Sequence, residues 1–259
     1  MIRRNFLKLT SLASFGVNLN LLNSAYTHYL TLTFDDGFKK SSYKTAAIFE
    51  NFGLKASINV IATGHLKSFN RDPKWMPNNL LGNFDDWNKI KSKGHEIMPH
   101  SWEHLNLTEI PINKAFSNID KCLDYFEDNL DGFSISNSVF HYPYNASNNS
   151  LDKYLLKKVK AIRTGGWLVL NGNFSNEIPN KYSKLRLGTW SHGPGLCNNF
   201  VENSINDFLN SNGGWLILNL HGLDNEGWGP IGSKYLDELL SRLIKINFLS
   251  IKSIGDILI

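Results

Sequence analysis

Two adjacent carboxylates, Asp35 and Asp36, follow an alternating apolar run near the start of this 259-residue chain. The run, residues 28–34, is rich in β-branched and aromatic residues, which predicts a strand that ends at the two carboxylates. Like charges repel, so one interpretation is a solvated Asp-Gly turn. The other is that a cation binds one carboxylate while its neighbour does proton chemistry, which requires further ligands elsewhere in the chain.

A histidine pair supplies suitable ligands. His100 and His104 come directly after the short predicted strand 96–98. Two histidines spaced i and i+4 can direct both imidazoles at one point, and one Asp with two His is a three-ligand set typical of zinc sites with open positions. For the pair alone a polar surface turn is the alternative. Its position after a strand, like that of the carboxylates, favours a metal site.

The elements that position these groups form a repeating pattern. Predicted strands and helices alternate along the chain, so we expect a parallel sheet wound in one sense. About seven strand-helix units without a linker predict a single α/β domain, closed or nearly closed into a barrel. In such barrels the loops after the strands share one rim. The carboxylates, the histidine pair, the break at Pro143 and the pair His221-Gly222 should therefore converge there.

Residues 1–25 are expected to be an export signal, which leaves 26–259 as one folded domain. Arg3 and Arg4 precede a weakly apolar stretch, as in a twin-arginine signal; an ordinary secretory signal or a buried N-terminal helix is the alternative. The stretch is too polar and too short to predict a membrane span. We expect the protein in the periplasm, at the cell surface or outside the cell.

The charge of the chain excludes one class of partner. The formal net charge is +4, and the three positive side chains within residues 1–25 account for most of it, so the remaining domain carries +1. A nearly neutral domain lacks the basic surface of a nucleic-acid-binding protein.

Of the two cysteines, Cys122 lies on an amphipathic helical stripe and is expected in the core. Cys197 lies in a loop, and its pairing is left open.

Four short segments together resemble, in order, the motifs of the polysaccharide deacetylase family, also called the NodB-homology or carbohydrate esterase 4 family. The resemblance covers nearly the whole domain. It implies a distorted (β/α)7-type barrel that removes acetyl groups, in a metal-dependent reaction, from the N-acetylated sugars of a polysaccharide or oligosaccharide. The segments are Thr33-Phe34-Asp35-Asp36-Gly37, His100-Ser101-Trp102-Glu103-His104, Tyr142-Pro143-Tyr144 and Leu218-Asn219-Leu220-His221-Gly222.

The resemblance also implies a role for each matching residue. Asp35 would be the general base that takes a proton from a metal-bound water, and His221 the general acid that protonates the departing amine. The backbone N–H of Tyr144 would stabilise the oxyanion. Zinc is the leading metal, with cobalt, nickel or manganese as alternatives. The implied metal ligands are Asp36, His100 and His104.

Two departures from the family pattern bear on activity. The third motif usually begins with an Arg that orients the catalytic base, whereas this chain has His141, which we expect to hydrogen-bond Asp35 without a charged fork. The acid that usually braces the catalytic histidine is also missing, and Asp224 or Glu226, near His221, could replace it. These departures motivate a second hypothesis, a degenerate barrel that binds glycan without turnover.

Aromatic residues near the motifs suggest a carbohydrate polymer or oligomer as the partner. Trp228, Tyr142 and Trp190 are candidates for stacking against sugar rings, with packing at the rim as the alternative for each. A third hypothesis is hydrolysis of another amide or of an O-acetyl ester on a different polysaccharide. All three hypotheses place the substrate at the same rim.

Overall fold

The computed structural model describes residues 27–70, 72, 74–76, 80–170, 173–179 and 185–258. The expected export signal over residues 1–25 lies outside these ranges. Within them, strands and helices alternate as the sequence pattern predicts. The strands are β1 (His28–Phe34), β2 (Ser57–Val60), β3 (Glu96–Pro99), β4 (Val139–His141), β5 (Ala161–Gly165), β6 (Leu185–Thr189), β7 (Gly214–Leu220) and β8 (Leu249–Ile251), and the helices are α1 (Lys39–Asn51), α2 (Phe84–Ser92), α3 (Ile112–Asn129), α4 (Asn149–Leu155), α5 (Asn198–Leu209), α6 (Ser233–Leu243) and α7 (Ile254–Leu258).

All strand pairs in the described ladders are parallel, as expected for strands joined by helical crossovers. One sheet has the order β3-β2-β1-β7, with β8 beside the start of β1, and a second sheet has the order β4-β5-β6. β1 pairs with β7 along its whole length, and Phe34 lies opposite Leu220. The next residues, Asp35 and His221, therefore leave the sheet side by side, and Asp35 N donates to Leu220 O at 2.8 Å.

The two sheets together form a distorted barrel. Just beyond β6, Trp190 makes a single parallel bridge to Leu218 of β7, which joins the sheets on one side. On the other side β3 packs beside β4, but no ladder between them occurs in the part of the chain that the structure describes. Strands β1 to β7 thus follow one another around the barrel without a continuous hydrogen-bonded closure. The predicted α/β class, parallel strands and distorted barrel are confirmed.

The helices cover the outside of the sheets with their apolar faces. The buried face of α3 includes Ile119, Cys122, Leu123 and Phe126, which places Cys122 in the core as its helical stripe predicts. Cys197 is also buried, and both cysteines are free. A search of the described helices finds none that is long and apolar enough to cross a membrane.

Candidate metal centre and active site

Three predicted ligands lie together at the carboxyl ends of β1 and β3. Side-chain ligand atoms of Asp36, His100 and His104 are all within 4.8 Å of one another. Asp36 Oδ1 is 3.2 Å from His104 Nε2 and 3.6 Å from His100 Nε2. Asp36 and His104 have positive φ angles of 71° and 54°. Non-glycine residues adopt this conformation at a cost, and such strain is concentrated at functional sites.

The surroundings of the three ligands fit a divalent cation. His100 Nδ1 is 3.0 Å from the backbone oxygen of His141, and because a carbonyl only accepts, Nδ1 carries the proton and Nε2 presents its lone pair to the centre. Burial lowers the pKa of His100 to about 4, although Asp35 and Asp36 act in the opposite direction. The neutral imidazole is the form that binds metal. The buried Asp36 Oδ1 also has no hydrogen-bond partner of good geometry among the described residues, as expected of a metal ligand.

Asp35 lies beside this centre with both oxygens bound to other groups. Asn59 Nδ2 donates to Oδ1 at 2.7 Å, and Arg163 Nη2 donates to Oδ2 at 2.6 Å. Burial raises the pKa of Asp35, but the Arg163 guanidinium together with the nearby histidines outweighs it, and the net pKa lies well below the usual range for Asp. Asp35 is therefore ionised at neutral pH, which is the form that can take a proton.

The expected contact between His141 and Asp35 is replaced by one from Arg163. His141 is buried on β4, and neither ring nitrogen has a hydrogen-bond partner among the described residues. Arg163 is its register partner on the neighbouring strand β5 and carries the positive charge that the family pattern usually has at position 141. A charged residue within the apolar run 161–163 was the available signal, since a buried Arg requires a partner.

His221 follows β7 and faces the same centre, but neither expected brace reaches it. Its Nδ1 is buried and has no partner among the described residues. Asp224 instead pairs with Lys44 at 2.8 Å, and Glu226 accepts from the backbone N–H of Ser41 at 3.1 Å. Burial lowers the pKa of His221, opposed by the nearby carboxylates. The prediction that Asp224 or Glu226 braces His221 is therefore wrong, since among the described residues both carboxylates bind other groups.

The centre opens into a cavity of about 600 Å³ with an aromatic and apolar rim. Tyr144, with a φ of 57° and 65% exposed, extends over it with its ring centroid 4.9 Å from that of His104. Trp228 lies edge-on to His221 at 5.4 Å between ring centroids. The sequence alone assigns no role to several residues that line this cavity: Phe69, Trp75, Met76, Leu105, Asn145, Ser191 and Asn219.

Two predicted sugar-stacking residues do not line the cavity. Tyr142 is completely buried in the core, so its ring is inaccessible to a sugar. Trp190 is partly buried and packs so closely on Gly166 that a Cβ there would lie 2.4 Å from its ring. Of the three tryptophan and tyrosine candidates, only Trp228 borders the described cavity.

Comparisons with known proteins identify the family of this chain. The model of the polysaccharide deacetylase family matches residues 24–160, which is more than half of the chain. Comparison with curated protein sequences gives no significant match.

Several solved structures are similar in fold over most of the chain. A presumed polysaccharide deacetylase from Mycobacterium smegmatis has a TM-score of 0.66 at 13% identity and covers 90% of this chain and 89% of its own. The peptidoglycan deacetylase PdaC from Bacillus subtilis has a TM-score of 0.54 at 15% identity, with coverage of 89% and 90%. A CE4 family pseudoenzyme, solved as a mutant with restored activity, has a TM-score of 0.56 at 13% identity, with coverage of 90% and 68%. At these identities the likeness concerns the fold, and the match to the family model carries the assignment. This chain belongs to the polysaccharide deacetylase family.

Proposed function

We propose that the protein is a metal-dependent hydrolase that removes acetyl groups from N-acetylated sugars of a polysaccharide or oligosaccharide. The observation that supports this most directly is the division of the carboxylate pair. Asp36 points to His100 and His104, whereas the carboxylate of Asp35 accepts hydrogen bonds from Arg163 and Asn59. A pair of solvated turn residues would have no such separate partners. The arrangement supplies a metal ligand and a base side by side.

Asp36, His100 and His104 would hold one divalent cation. When bound, the cation polarises the amide carbonyl and makes water in the site more acidic. Two imidazoles and one carboxylate suit zinc, our leading choice, as well as cobalt, nickel or manganese. His141 contributes through its backbone carbonyl, which fixes the tautomer of His100. Its side chain is not needed for this contact.

The proton transfers are assigned to two residues on neighbouring strands. Asp35 takes the proton of the attacking water, and Arg163 and Asn59 keep its carboxylate oriented. The backbone N–H of Tyr144 stabilises the negative charge that develops on the carbonyl oxygen. His221 protonates the departing amine, and the pairing of β1 with β7 sets it beside Asp35. A general acid and a general base contribute about 10²- to 10⁴-fold each.

The rim of the cavity suits a carbohydrate. Trp228 and the exposed Tyr144 present aromatic surfaces beside the centre, and sugar rings pack well against such faces. We retain the proposal that residues 1–25 direct export, which sequencing of the N-terminus of the protein recovered from its native host would test.

Binding of glycan without turnover is the second candidate, and the unpaired Nδ1 of His221 favours it. Without a hydrogen bond at Nδ1, neither the tautomer nor the orientation of the imidazole is fixed for proton donation. The first candidate is favoured by Arg163, because it supplies the base-orienting charge whose absence from position 141 motivated the degenerate barrel. The two candidates differ only in whether acetate is released.

Acetate release from N-acetylglucosamine oligomers by the zinc-loaded protein tests the proposal, with Asp35→Asn as the matched variant. We expect release by the wild type and its loss in Asp35→Asn, which should retain the metal because Asp35 is not a proposed ligand. An O-acetylated xylan assayed in parallel distinguishes ester from amide hydrolysis. Oligomer binding with no acetate released from either substrate, at any of the four metals, would identify a binding protein instead.

A further inference from the structure

A polar wall of the cavity lies beside His221 and has no part in the proposed chemistry. Asn219 precedes His221 by two residues, so the two side chains leave β7 on the same face. Both line the cavity of the metal centre. Asn219 is only 4% exposed, so its polar groups need partners within the protein or on a ligand.

Two successive hydrogen bonds connect the side chains of this wall, and each runs from an amide donor to the next residue. Asn219 Nδ2 donates to Asn145 Oδ1 at 3.4 Å, and Asn145 Nδ2 donates to Ser191 Oγ at 3.2 Å. The carboxamide oxygen of Asn219 is buried and has no hydrogen-bond partner among the described residues. Ser191 Oγ accepts the hydrogen bond from Asn145, so the hydroxyl hydrogen of Ser191 is not used in it. The wall therefore ends in one acceptor, Asn219 Oδ1, and one donor, Ser191 O–H.

An unpaired acceptor is complementary to a hydroxyl group, which can donate to it. Sugar rings carry several hydroxyls next to an N-acyl group. We infer that Asn219 Oδ1 accepts a hydrogen bond from a ring hydroxyl of the substrate sugar, with Ser191 as a further polar contact on the same wall, and that the site so selects substrates in which that hydroxyl is present and free. The inference rests on the proposed function for the identity of the ligand, and it names the feature of the sugar that the site reads.

The roles of Asn219 and Ser191 are recognition and positioning. A site built to bond a hydroxyl discriminates against an analogue that lacks it, because its own buried polar groups are then left unpaired. We expect removal of the recognised hydroxyl to lower kcat/KM by roughly 10- to 100-fold in the wild type. An apolar residue at position 219 should remove most of that discrimination, because the buried acceptor that a missing hydroxyl would leave unpaired is then absent.

The experiment compares Asn219→Leu with the wild type on N-acetylglucosamine oligomers and on their 3-deoxy, 4-deoxy and 6-deoxy analogues. Ser191→Ala is a milder second variant that preserves the packing. Thr33→Val is the control, because Thr33 is the buried register partner of Asn219 on β1 and does not line the cavity. Thermal unfolding verifies that each variant folds.

We expect one analogue to be discriminated against by the wild type and by Thr33→Val, with the discrimination reduced to about twofold in Asn219→Leu. The inference would be overturned if Asn219→Leu lowered kcat/KM by the same factor on the parent oligomer and on the analogue, because the discrimination would then be unchanged. It would also be overturned if the wild type did not discriminate against any analogue. If the wild type binds the oligomer but releases no acetate, the proposed turnover fails, and titration calorimetry with the same oligomers tests the wall alone. Equal affinities for parent and analogues, or no binding at all, would then refute it.

Discussion

Replacing Arg163 with Met should lower both activity and stability. Arg163 is completely buried, and its Nη2 is 2.6 Å from Asp35 Oδ2. Without the guanidinium, burial acts on Asp35 with much less opposition, and the pKa of Asp35 rises. Asp35 then stays protonated up to a higher pH, so the ionised form that acts as the base is depleted at the acid end of the pH profile. Asn59 remains as the other side-chain partner of this carboxyl.

The expected magnitudes differ for the two properties. Loss of a base in working position costs about 10²- to 10⁴-fold in kcat. The hydrogen bond between two charged groups contributes about 1.5–3 kcal/mol to stability. Against that, Arg163 Nε and Nη1 are buried without partners among the described residues, and relieving each unpaired group returns about 1–3 kcal/mol. Removal of one partner of a buried ion pair leaves the other charge uncompensated and costs about 3–5 kcal/mol, so the free energy of unfolding should fall by no more than that, and kcat is compared at temperatures where the variant is folded.

The assay measures acetate release against pH together with thermal unfolding, and His141→Leu is the matched control on the neighbouring strand. In the variant Arg163→Met the acid limb of kcat should move to higher pH. His141→Leu should change kcat little, because the ring of His141 has no hydrogen-bond partner in the described structure. A bound cation also lowers the pKa of Asp35, so NMR titration of the carboxyl should show the larger shift in metal-free protein.

The reverse pattern would refute this account. If Arg163→Met retained its activity and pH profile while His141→Leu lost activity, the base would be oriented from β4, as the sequence alone suggested. An intermediate variant, Arg163→Lys, preserves the charge but presents it on a different stem. It should recover part of the low pKa of Asp35 and only part of kcat.

The remaining predictions concern the metal, the acid and the core. Asp36→Ala and His104→Ala should weaken metal binding, measured by competition with a chelator, by more than the ~10- to 100-fold that loss of a group hydrogen-bonded to a metal ligand costs. Asp35→Asn should keep the metal and lower kcat by about 10²- to 10⁴-fold. Since burial lowers the pKa of His221, kcat should fall as pH rises through a value below about 6.5, and His221→Asn should remove that limb. Burial raises the pKa of Glu96, so the stability it contributes is complete below about pH 4.3 and is lost as pH rises through its folded-state pKa. Glu96→Gln should therefore raise Tm more at pH 8 than at pH 4, with activity unchanged.

The parts of the site that follow strands could be predicted from the sequence. Asp35, Asp36, His100 and His221 each come directly after an apolar run, and the carboxyl ends of parallel strands meet at one rim. Chain order alone therefore brings them together, without knowledge of side-chain packing. The same pattern predicted the α/β class and the barrel.

The parts that depend on which way a side chain points could not. Tyr142 continues the ladder, with its N–H donating to Arg163 O at 3.0 Å, and its ring faces the core. Trp190 is directed onto Gly166 in the same way. Neither direction follows from composition, because each residue lies one position beyond a strand, where the alternation of faces can break. Asn59 was missed because a buried amide in an apolar strand reveals its partner only when the strands are paired.

The exchange between His141 and Arg163 shows why a missing residue type at one position is weak evidence against activity. The two residues are register partners on adjacent parallel strands, which lie about 4.8 Å apart, and an arginine side chain is longer than that spacing. A guanidinium on either strand can therefore reach the same carboxylate. What the chemistry requires is a positive charge at one point in space, and that point is accessible from two places in the sequence. The backbone carbonyl of His141 meanwhile orients His100 whatever side chain is present there.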